Sequence, residues 1–443
     1  MIGSRLGIAL SSTFVAVCLS ATAQTAISSG PTFRARSDLV LIRVVVRDKE
    51  GHADGHLQKE DFQLLDKGKQ QSISQFAVEG NVTAGAVLSD GETGAEKAAL
   101  QTVALPGEKH YIAYVFDDVH LGFDHLMLAK QAVERHLDDF LKVHRRLAIF
   151  TTSGQTMLDF TSDAAKLRET LQRIQPRSLA ALSTTDCPRL TFYEADLIRN
   201  KNDAGALGAA TMDTMRCARL PPEMKDMAQS LVEGAASRLV STGGVEARMA
   251  LGVLNDIIDG LSHAEGQRGI VLISPGFLLF QQRQDEVETM DRAIRADITI
   301  SSLDARGLFT LTPGGDASES NGNPATLQVH AKYQKDAALT QDDVMAELAE
   351  GTGGAFVHNS NDLEGGLRRI DAAPEYYYVI GFAPQNLKFD GSYHNLKVNL
   401  VKHLNGYTVQ ARRGYFAPRQ KASTVRLSKR QDVAALSGAM QIP

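Results

Sequence analysis

The strongest constraint on the fold is an alternation of apolar and amphipathic segments from about residue 110 to residue 384. The apolar run HYIAYVFDD is followed by HLMLAKQAVERHLDDFL, in which Leu126, Val133 and Leu137 recur at helical spacing, and then by a second apolar run, RRLAIFTTSG. Continuous apolar runs are typical of strands buried on both faces. The alternation therefore predicts an α/β fold with a doubly wound, mostly parallel sheet and helices on both of its faces.

The same alternation continues through the second half of this region. Predicted strands are RGIVLISPGF, ITISSLDARG, AFVHNS and YYYVIGFAP, and predicted helices are SDAAKLRETLQRI, EVETMDRAIRAD, DDVMAELAEGTGG and DLEGGLRRI. Ser162 or Asp163 is placed to cap the first of these helices. A polar stretch from Thr312 to about Asp336 is predicted to be a loop.

Two β segments flank the α/β region. Residues 31–80 contain the β-branched run LVLIRVVVRDKEG and two further short strands. Residues 385–418 alternate polar and apolar positions around Asn405-Gly406 and predict a hairpin. Each segment is too small to bury its own apolar face, so we expect the two to pack into one sandwich, into which the α/β domain is inserted.

The remaining boundaries follow from composition. Residues 81–108 are rich in Gly, Ala, Ser and Thr and predict a linker that leads into the α/β domain, residues 109–384. Residues 419–443 are basic and rich in Ser and Ala, which predicts a poorly ordered tail.

The first 23 residues have the pattern of a secretory signal peptide. Arg5 precedes an apolar stretch from Leu6 to Leu19, and Ala21-Thr22-Ala23 is a cleavage pattern. The apolar stretch is shorter than a spanning helix requires, and no second stretch of spanning length follows. We therefore expect export to the periplasm, the cell surface or the exterior, with no stable membrane span after cleavage.

The charge balance argues against nucleic acid as a partner. The formal net charge is -5 at pH 7 and the isoelectric point is about 6.2. No basic stripe follows the sequence in the way that phosphate tracking requires. A protein partner is the expectation instead.

After removal of the signal peptide, two cysteines remain, Cys187 and Cys217. An even pair in an oxidising compartment is more often a disulfide than a reactive thiol or a metal ligand. Both lie in a long insertion, residues 176–243, that interrupts the alternation. A bridge between them would stabilise an otherwise loose excursion by about 3 kcal/mol.

Several ordered segments resemble those of a known family. VVVRDKEGHADGHLQKEDFQLLDKGKQQSISQF, FTSDAAKLRETL and YYYVIGFAPQNLKFDGSYHNLKVNLVKHLNGYTVQARRGYFAP are similar to the exported acidobacterial von Willebrand factor A (VWFA)-related domain proteins. The resemblance spans nearly all of the mature chain, and its specificity comes from the order of the segments. It implies a von Willebrand A-like, Rossmann-type α/β domain.

The resemblance also implies a position for a metal-ion-dependent adhesion site. Metal-binding members end their first strand in D-x-S-x-S, and add a threonine and an aspartate from two further loops around a Mg²⁺ ion. Asp117 matches the first aspartate, Asp118 follows it, and Thr242 is matched to the threonine. Val119 and Leu121 replace the two serines, and Pro275 replaces the third-loop aspartate. The site is therefore degenerate, and no cofactor is expected.

Two interpretations of the aspartates stay open. In the first, Asp117 and Asp118 cap the following helix and hydrogen-bond the loop at its N-terminus. In the second, Asp118, His120 and Asp124 supply other ligands for Mg²⁺ or Ca²⁺ from the same rim.

Catalytic patterns are weak. Ser274 follows a predicted central strand, but the glycine of the G-x-S-x-G elbow is absent, and no H-E-x-x-H or Cys-x-x-Cys zinc pattern occurs. We expect a non-enzymatic protein-interaction or adhesion module of the cell envelope. The alternatives are a metal-dependent binder around Asp117 and Asp118 and, third, a hydrolase centred on Ser274.

Overall fold

The computed structural model describes residues 39–49, 52–80, 110–142, 145–177, 187–308, 326–372, 376–384, 391–401 and 406–417. The predicted signal peptide, the linker over residues 81–108 and the tail over residues 419–443 lie outside these ranges. No helix in the described ranges is long and apolar enough to cross a membrane.

The described chain contains strands and helices in regular succession. The strands are β1 (Val40–Arg47), β2 (Phe62–Asp66), β3 (Lys69–Gln71), β4 (Gln75–Gly80), β5 (His110–Phe116), β6 (Arg145–Thr151), β7 (Met157–Thr161), β8 (Gln267–Ser274), β9 (Thr299–Asp304), β10 (Phe356–Val357), β11 (Tyr376–Phe382), β12 (Tyr393–Leu400), β13 (Thr408–Ala411) and β14 (Gly414–Phe416). The α-helices are α1 (Phe123–Leu141), α2 (Ala164–Arg173), α3 (Phe192–Asn200), α4 (Ala204–Cys217), α5 (Lys225–Leu261), α6 (Arg283–Arg295), α7 (Leu327–Thr352) and α8 (Leu363–Asp371).

A six-stranded sheet forms the centre of the α/β domain, in the order β10-β9-β8-β5-β6-β7. All neighbours in it are parallel except β7, which runs antiparallel to β6. From β5, the chain adds β6 and β7 on one side of the sheet and then β8, β9 and β10 on the other side. The boundary between β5 and β8 is therefore the topological switch point, where doubly wound folds bind ligands. The predicted fold class, a doubly wound and mostly parallel sheet with flanking β segments, is confirmed.

Alternate residues of β5 face two separate cores. Ala113 and Val115 pack with α5, α6 and α7, whereas Tyr114 and Phe116 pack with α1, α2 and α8. Both sets are essentially inaccessible to solvent. The uninterrupted apolar sequence of β5 follows from this burial on both faces.

The remaining strands form two antiparallel sheets, β13-β1-β11-β4 and β14-β12-β2-β3. They share one apolar core that includes Ile42, Leu64 and Leu396. Tyr378 lies in this core, where its hydroxyl donates to the carbonyl of Asp54 at 2.7 Å. Strands from the two ends of the chain therefore pair directly in this sandwich, as β1 and β11 do.

One local prediction about these strands is wrong, and a second holds only in part. The strand over YYYVIGFAP does not join the parallel sheet, because β11 pairs antiparallel with β1 and β4. Within residues 385–418, β12 and β14 pair antiparallel as the predicted hairpin requires, but β13, which lies between them in sequence, pairs with β1 in the other sheet. Apolar pattern indicates how deeply a strand is buried, but it does not specify the strand's neighbour.

The insertion is helical and not loose. α3, α4 and the first half of α5 share a small core with the start of α7. The predicted disulfide is present: it joins Cys187 to Cys217, whose Cα atoms lie 6.1 Å apart. The predicted loop over residues 312–336 is wrong in its last part, because α7 begins at Leu327; residues 312–325 lie outside the described ranges.

Candidate functional site

The carboxyl ends of β5, β6 and β8 bring a group of polar side chains together at the switch point. The group consists of Asp117 and Asp118 after β5, Thr152 and Ser153 after β6, and Ser274 at the end of β8. The backbone N–H of Asp117 donates to the carbonyl of Ile273 at 2.9 Å, which continues the pairing of β5 with β8. We call these five residues the rim cluster.

Asp117 is fully buried, and protein donors surround its carboxylate. The hydroxyl of Ser274 donates to Oδ2 at 2.6 Å, and the hydroxyl of Thr152 donates to Oδ1 at 2.8 Å. Nδ1 of His120 lies 2.9 Å from Oδ1 and 3.0 Å from Oδ2, and the His120 backbone N–H donates to Oδ1 at 3.2 Å. Both carboxylate oxygens are therefore hydrogen-bonded.

Asp118 connects β5 to the loop after β6. Its carboxylate accepts hydrogen bonds from the backbone N–H of Ser153 at 2.9 Å and from the hydroxyls of Ser153 and Thr152 at 2.5 and 3.2 Å. Its carbonyl accepts from the N–H of Arg177 at 2.6 Å. The two aspartates thus connect the end of β5 to three other segments: the loop after β6, the end of β8 and the residues after α2.

Asp117 and His120 form an ion pair when the imidazole is protonated; the side chain of Asp117 is fully buried and that of His120 is 20 % exposed. Burial raises the pKa of Asp117, but the charge and hydrogen bonds of His120 outweigh burial, and the pKa is lowered. Burial likewise lowers the pKa of His120, but the charge of Asp117, with smaller contributions from Glu246 and Asp118, raises it overall. The ring of His120 also stacks on Phe277, with centroids 5.7 Å apart.

The donor set differs from that of a magnesium-binding adhesion site. Val119 and Leu121, at the two serine positions, are each 2 % exposed and carry no side-chain oxygen. The hydroxyls of Thr152 and Ser274 donate to Asp117, and His120 adds a positive charge beside it. Within the described ranges, no three or more His, Cys, Asp or Glu side chains are arranged to hold a metal ion.

The structure corrects three interpretations of this region. Thr242 lies inside the continuous helix α5, and the threonine that contacts both aspartates is Thr152. The aspartates do not cap α1, whose N-cap is Gly122 with no side-chain cap, although Asp117 does bond the preceding loop. Asp124 is exposed at the start of α1 and takes no part in the cluster.

Ser274 is not arranged as a nucleophile. Its hydroxyl donates to Asp117 and accepts from the N–H of Gly276 at 2.9 Å, and the side chain is inaccessible to solvent. A serine nucleophile needs a base that takes its proton, with the base oriented by a third group. Here Asp117 lies between Ser274 and His120, so the histidine is not placed to take the proton of the serine.

The insertion helices lie beside the rim cluster. Glu246 of α5 is buried and interacts electrostatically with His120. Phe192 of α3 packs against Gly243, where a Cβ atom would overlap its ring, which explains the glycine inside the helix. Gly243, the residue after Thr242, therefore marks a close approach of two helices.

A charged contact joins the insertion to α7. His330 lies 2.5 Å from Glu194 of α3 and 2.5 Å from Asp213 of α4. Hydrogen bonds to Asp213 and Glu194 raise the pKa of His330 to about 10. At neutral pH its imidazolium therefore bridges three helices.

No protein-family profile matches the chain, and no curated protein matches its sequence. Similar solved structures include an aerotolerance-related membrane protein from Bacteroides fragilis with multiple mutations to serine, which is 13 % identical with a TM-score of 0.30 over 59 % of this chain and 96 % of that one. Another is the conserved hypothetical protein BatB from Bacteroides thetaiotaomicron, 16 % identical with a TM-score of 0.24 over 59 % of this chain and 95 % of that one. At such low similarity, the assignment of the fold depends on the strand order and pairing of this chain itself.

Proposed function

We propose that the protein is an exported, non-enzymatic protein-interaction or adhesion module of the cell envelope, and that the insertion helices carry its recognition surface. The observation that carries this proposal is an exposed apolar face at the start of α5. Met224, which immediately precedes α5, and Met227 and Leu231 in its first two turns recur at helical spacing and are 45 %, 54 % and 40 % exposed. Met212 on the neighbouring α4 is also 45 % exposed.

An apolar face of this kind suits a protein partner. Large side chains exposed together on one face are a common mark of interaction sites. Thioether side chains adapt their shape to a partner, so they serve binding surfaces well. The disulfide and the small core that α5 shares with α3 and α4 hold this face in place. We infer that the partner presents an apolar protein segment.

Export is the second part of the proposal. The signal-like pattern over residues 1–23 supports it, as does a disulfide between the two cysteines of the mature sequence, because such bridges persist in oxidising compartments. Fractionation of the source cells would test export, and a full-length protein retained in the cytoplasm would contradict it.

A photo-crosslinking residue in place of Met227 is expected to trap a protein partner in intact cells. The same residue in place of Leu128, which is 50 % exposed on α1, is the matched control and is expected to trap nothing. With the trapped partner purified, Met227→Asp should weaken binding at least about tenfold and Leu128→Asp should leave it unchanged. Equal effects of the two substitutions would contradict a recognition surface on the insertion.

A metal-dependent binder is the second candidate. One observation favours it: the rim cluster gathers five oxygen-bearing side chains, and oxygen is the ligand that Mg²⁺ and Ca²⁺ prefer. The charge of His120 works against it, because a protonated imidazole competes with a cation for Asp117.

Calorimetric titration with Mg²⁺, Mn²⁺ and Ca²⁺ separates the two candidates. We expect no saturable heat, because His120, Thr152 and Ser274 already satisfy Asp117. Saturable binding that is lost in Asp117→Asn, kept in the exposed control Asp124→Asn, and tighter at about pH 9 than at about pH 6 would establish the metal-dependent candidate instead. In that candidate, metal binding is tighter at high pH because His120 loses its proton there and no longer competes with the cation for Asp117.

A further inference from the structure

A polar cleft of about 470 Å³ lies between the end of α3, one face of α5 and the residues just before α6. Its volume falls in the range of small-molecule sites. The residues that line it are Arg199, Asn200, Ser237, Val240, Ser241, Gly244, Arg248, Gln281 and Gln282. The five from α5 include the adjacent pair Val240 and Ser241, and the others lie three or four residues from a member of that pair or from Gly244, which places all five on one helix face.

The cleft has an uncompensated positive charge. Arg199 and Arg248 line it, and the lining residues of the described chain include no Asp or Glu. Neither arginine forms an ion pair with a carboxylate of the described ranges, whereas Arg283 and Arg306 nearby in sequence pair with Glu347 and Asp304. Guanidinium groups without a protein partner are suited to bind carboxylate, phosphate or sulfate oxygens.

A buried amide in the cleft is the second, independent observation. Gln282 is 4 % exposed and lines the cleft, and its amide atoms are not among the solvent-inaccessible polar atoms of the described ranges that lack a partner. Gly244 allows this amide to approach α5, because a Cβ atom there would lie 3.2 Å from Nε2 of Gln282.

We propose that this cleft binds a small, hydrophilic organic anion that carries two oxyanion groups on a hydroxyl- or carbonyl-bearing backbone. The two arginines bind the oxyanions, and Gln282, Gln281 and Ser241 bind the backbone oxygens. Val240 is the single apolar side chain among the described residues that line the cleft, so a lipid chain or an aromatic base has nothing to pack against. The proposal goes beyond the protein-interaction function and does not depend on it, because the face formed by Met224, Met227 and Leu231 is not part of the cleft.

The test is calorimetric titration of the full mature chain with tartrate and with fructose 1,6-bisphosphate, each of which carries two oxyanion groups on a hydroxyl-bearing backbone, alongside glucose and sulfate. We expect saturable binding of at least one of the two organic anions, none of glucose, and weaker binding of sulfate. Arg199→Gln and Arg248→Gln should each weaken the binding at least about tenfold. Gln282→Ala should weaken it as well, by a smaller factor.

Arg238→Gln is the matched control, since Arg238 is an exposed arginine on α5 that does not line the cleft. It should leave binding unchanged. Failure of both organic anions to saturate the protein at about 10 mM, or equal weakening by Arg238→Gln and Arg248→Gln, would overturn the proposal. The three arginine variants change exposed side chains, so matching thermal melts will show that each one folds.

Discussion

Replacing Asp117 with alanine should lower the free energy of unfolding by about 3 to 5 kcal/mol, because it removes a fully buried carboxylate from its pair with His120. The Asp117 carboxylate accepts hydrogen bonds from His120, Thr152 and Ser274, and the two hydroxyls would lose their acceptor as well. Urea unfolding followed by circular dichroism measures the change. Asp124→Ala removes an exposed carboxylate seven residues later and should cost less than about 0.5 kcal/mol.

The loss of stability caused by Asp117→Ala should also depend on pH. The pKa of His120 is raised in the folded protein, so its contribution is fully present below its unfolded pKa of about 6.5 and is lost as pH rises through the folded value. The pKa of Asp117 is lowered, so its contribution is present above about 3.8 and is lost as pH falls through the folded value. The difference between wild type and Asp117→Ala should therefore be largest between these limits. A difference that does not change with pH would mean that the two residues are not an ion pair.

The elements that could be predicted from sequence are those whose pattern is local. The helical periodicity of α1 results from burial of one face of the helix, and the continuous apolar run of β5 results from burial on both faces of the sheet. Both patterns can be recognised within consecutive residues of the sequence. The cap of α2 is equally local, since the carboxylate of Asp163 accepts from the N–H of Ala165 and of Lys166. The disulfide followed from counting cysteines in a chain with a predicted signal peptide.

The residues of the rim cluster come from separate parts of the sequence, so no local pattern predicts that they lie together. Thr152 and Ser153 come directly after a predicted strand, but only the adjacency of β5 and β6 makes them neighbours of Asp117 and Asp118. His120 was visible as a residue close to the aspartates, yet its role as the partner of Asp117 depends on the backbone path after β5. A search for oxygen-bearing residues just past every predicted strand would have found Thr152 and Ser153.

The family resemblance also directed attention to Thr242, which the fold places elsewhere. Consecutive glycines usually favour a loop, because glycine weakens a helix by about 1 kcal/mol relative to alanine. Here the contact with Phe192 uses the missing side chain of Gly243, so packing between α3 and α5 outweighs helix propensity. Such a tertiary contact cannot be read from the sequence of α5 alone.

Removal of the disulfide should have the second large effect. The double variant Cys187→Ser with Cys217→Ser should lower the stability of the insertion by about 3 kcal/mol, because the bridge closes a loop with a sequence separation of 30 residues. The core of the insertion is built largely from small side chains, and each buries little apolar area. Four of its residues are alanines: Ala195, Ala206, Ala210 and Ala236. The cross-link therefore supplies stability that this core lacks.

Hydrogen exchange measures this effect element by element. In the double variant, and in wild type treated with dithiothreitol, amides of α3 and α4 should exchange faster by about two orders of magnitude, whereas those of β5 and β8 should keep their protection. Dithiothreitol should change nothing further in the double variant, which is the control for the reagent. Unchanged exchange in α4 would show that the charged contact of His330 with Glu194 and Asp213 is enough to hold the insertion. Loss of protection in β5 as well would show that α5, which runs from the insertion onto the central sheet, couples the two into one folding unit.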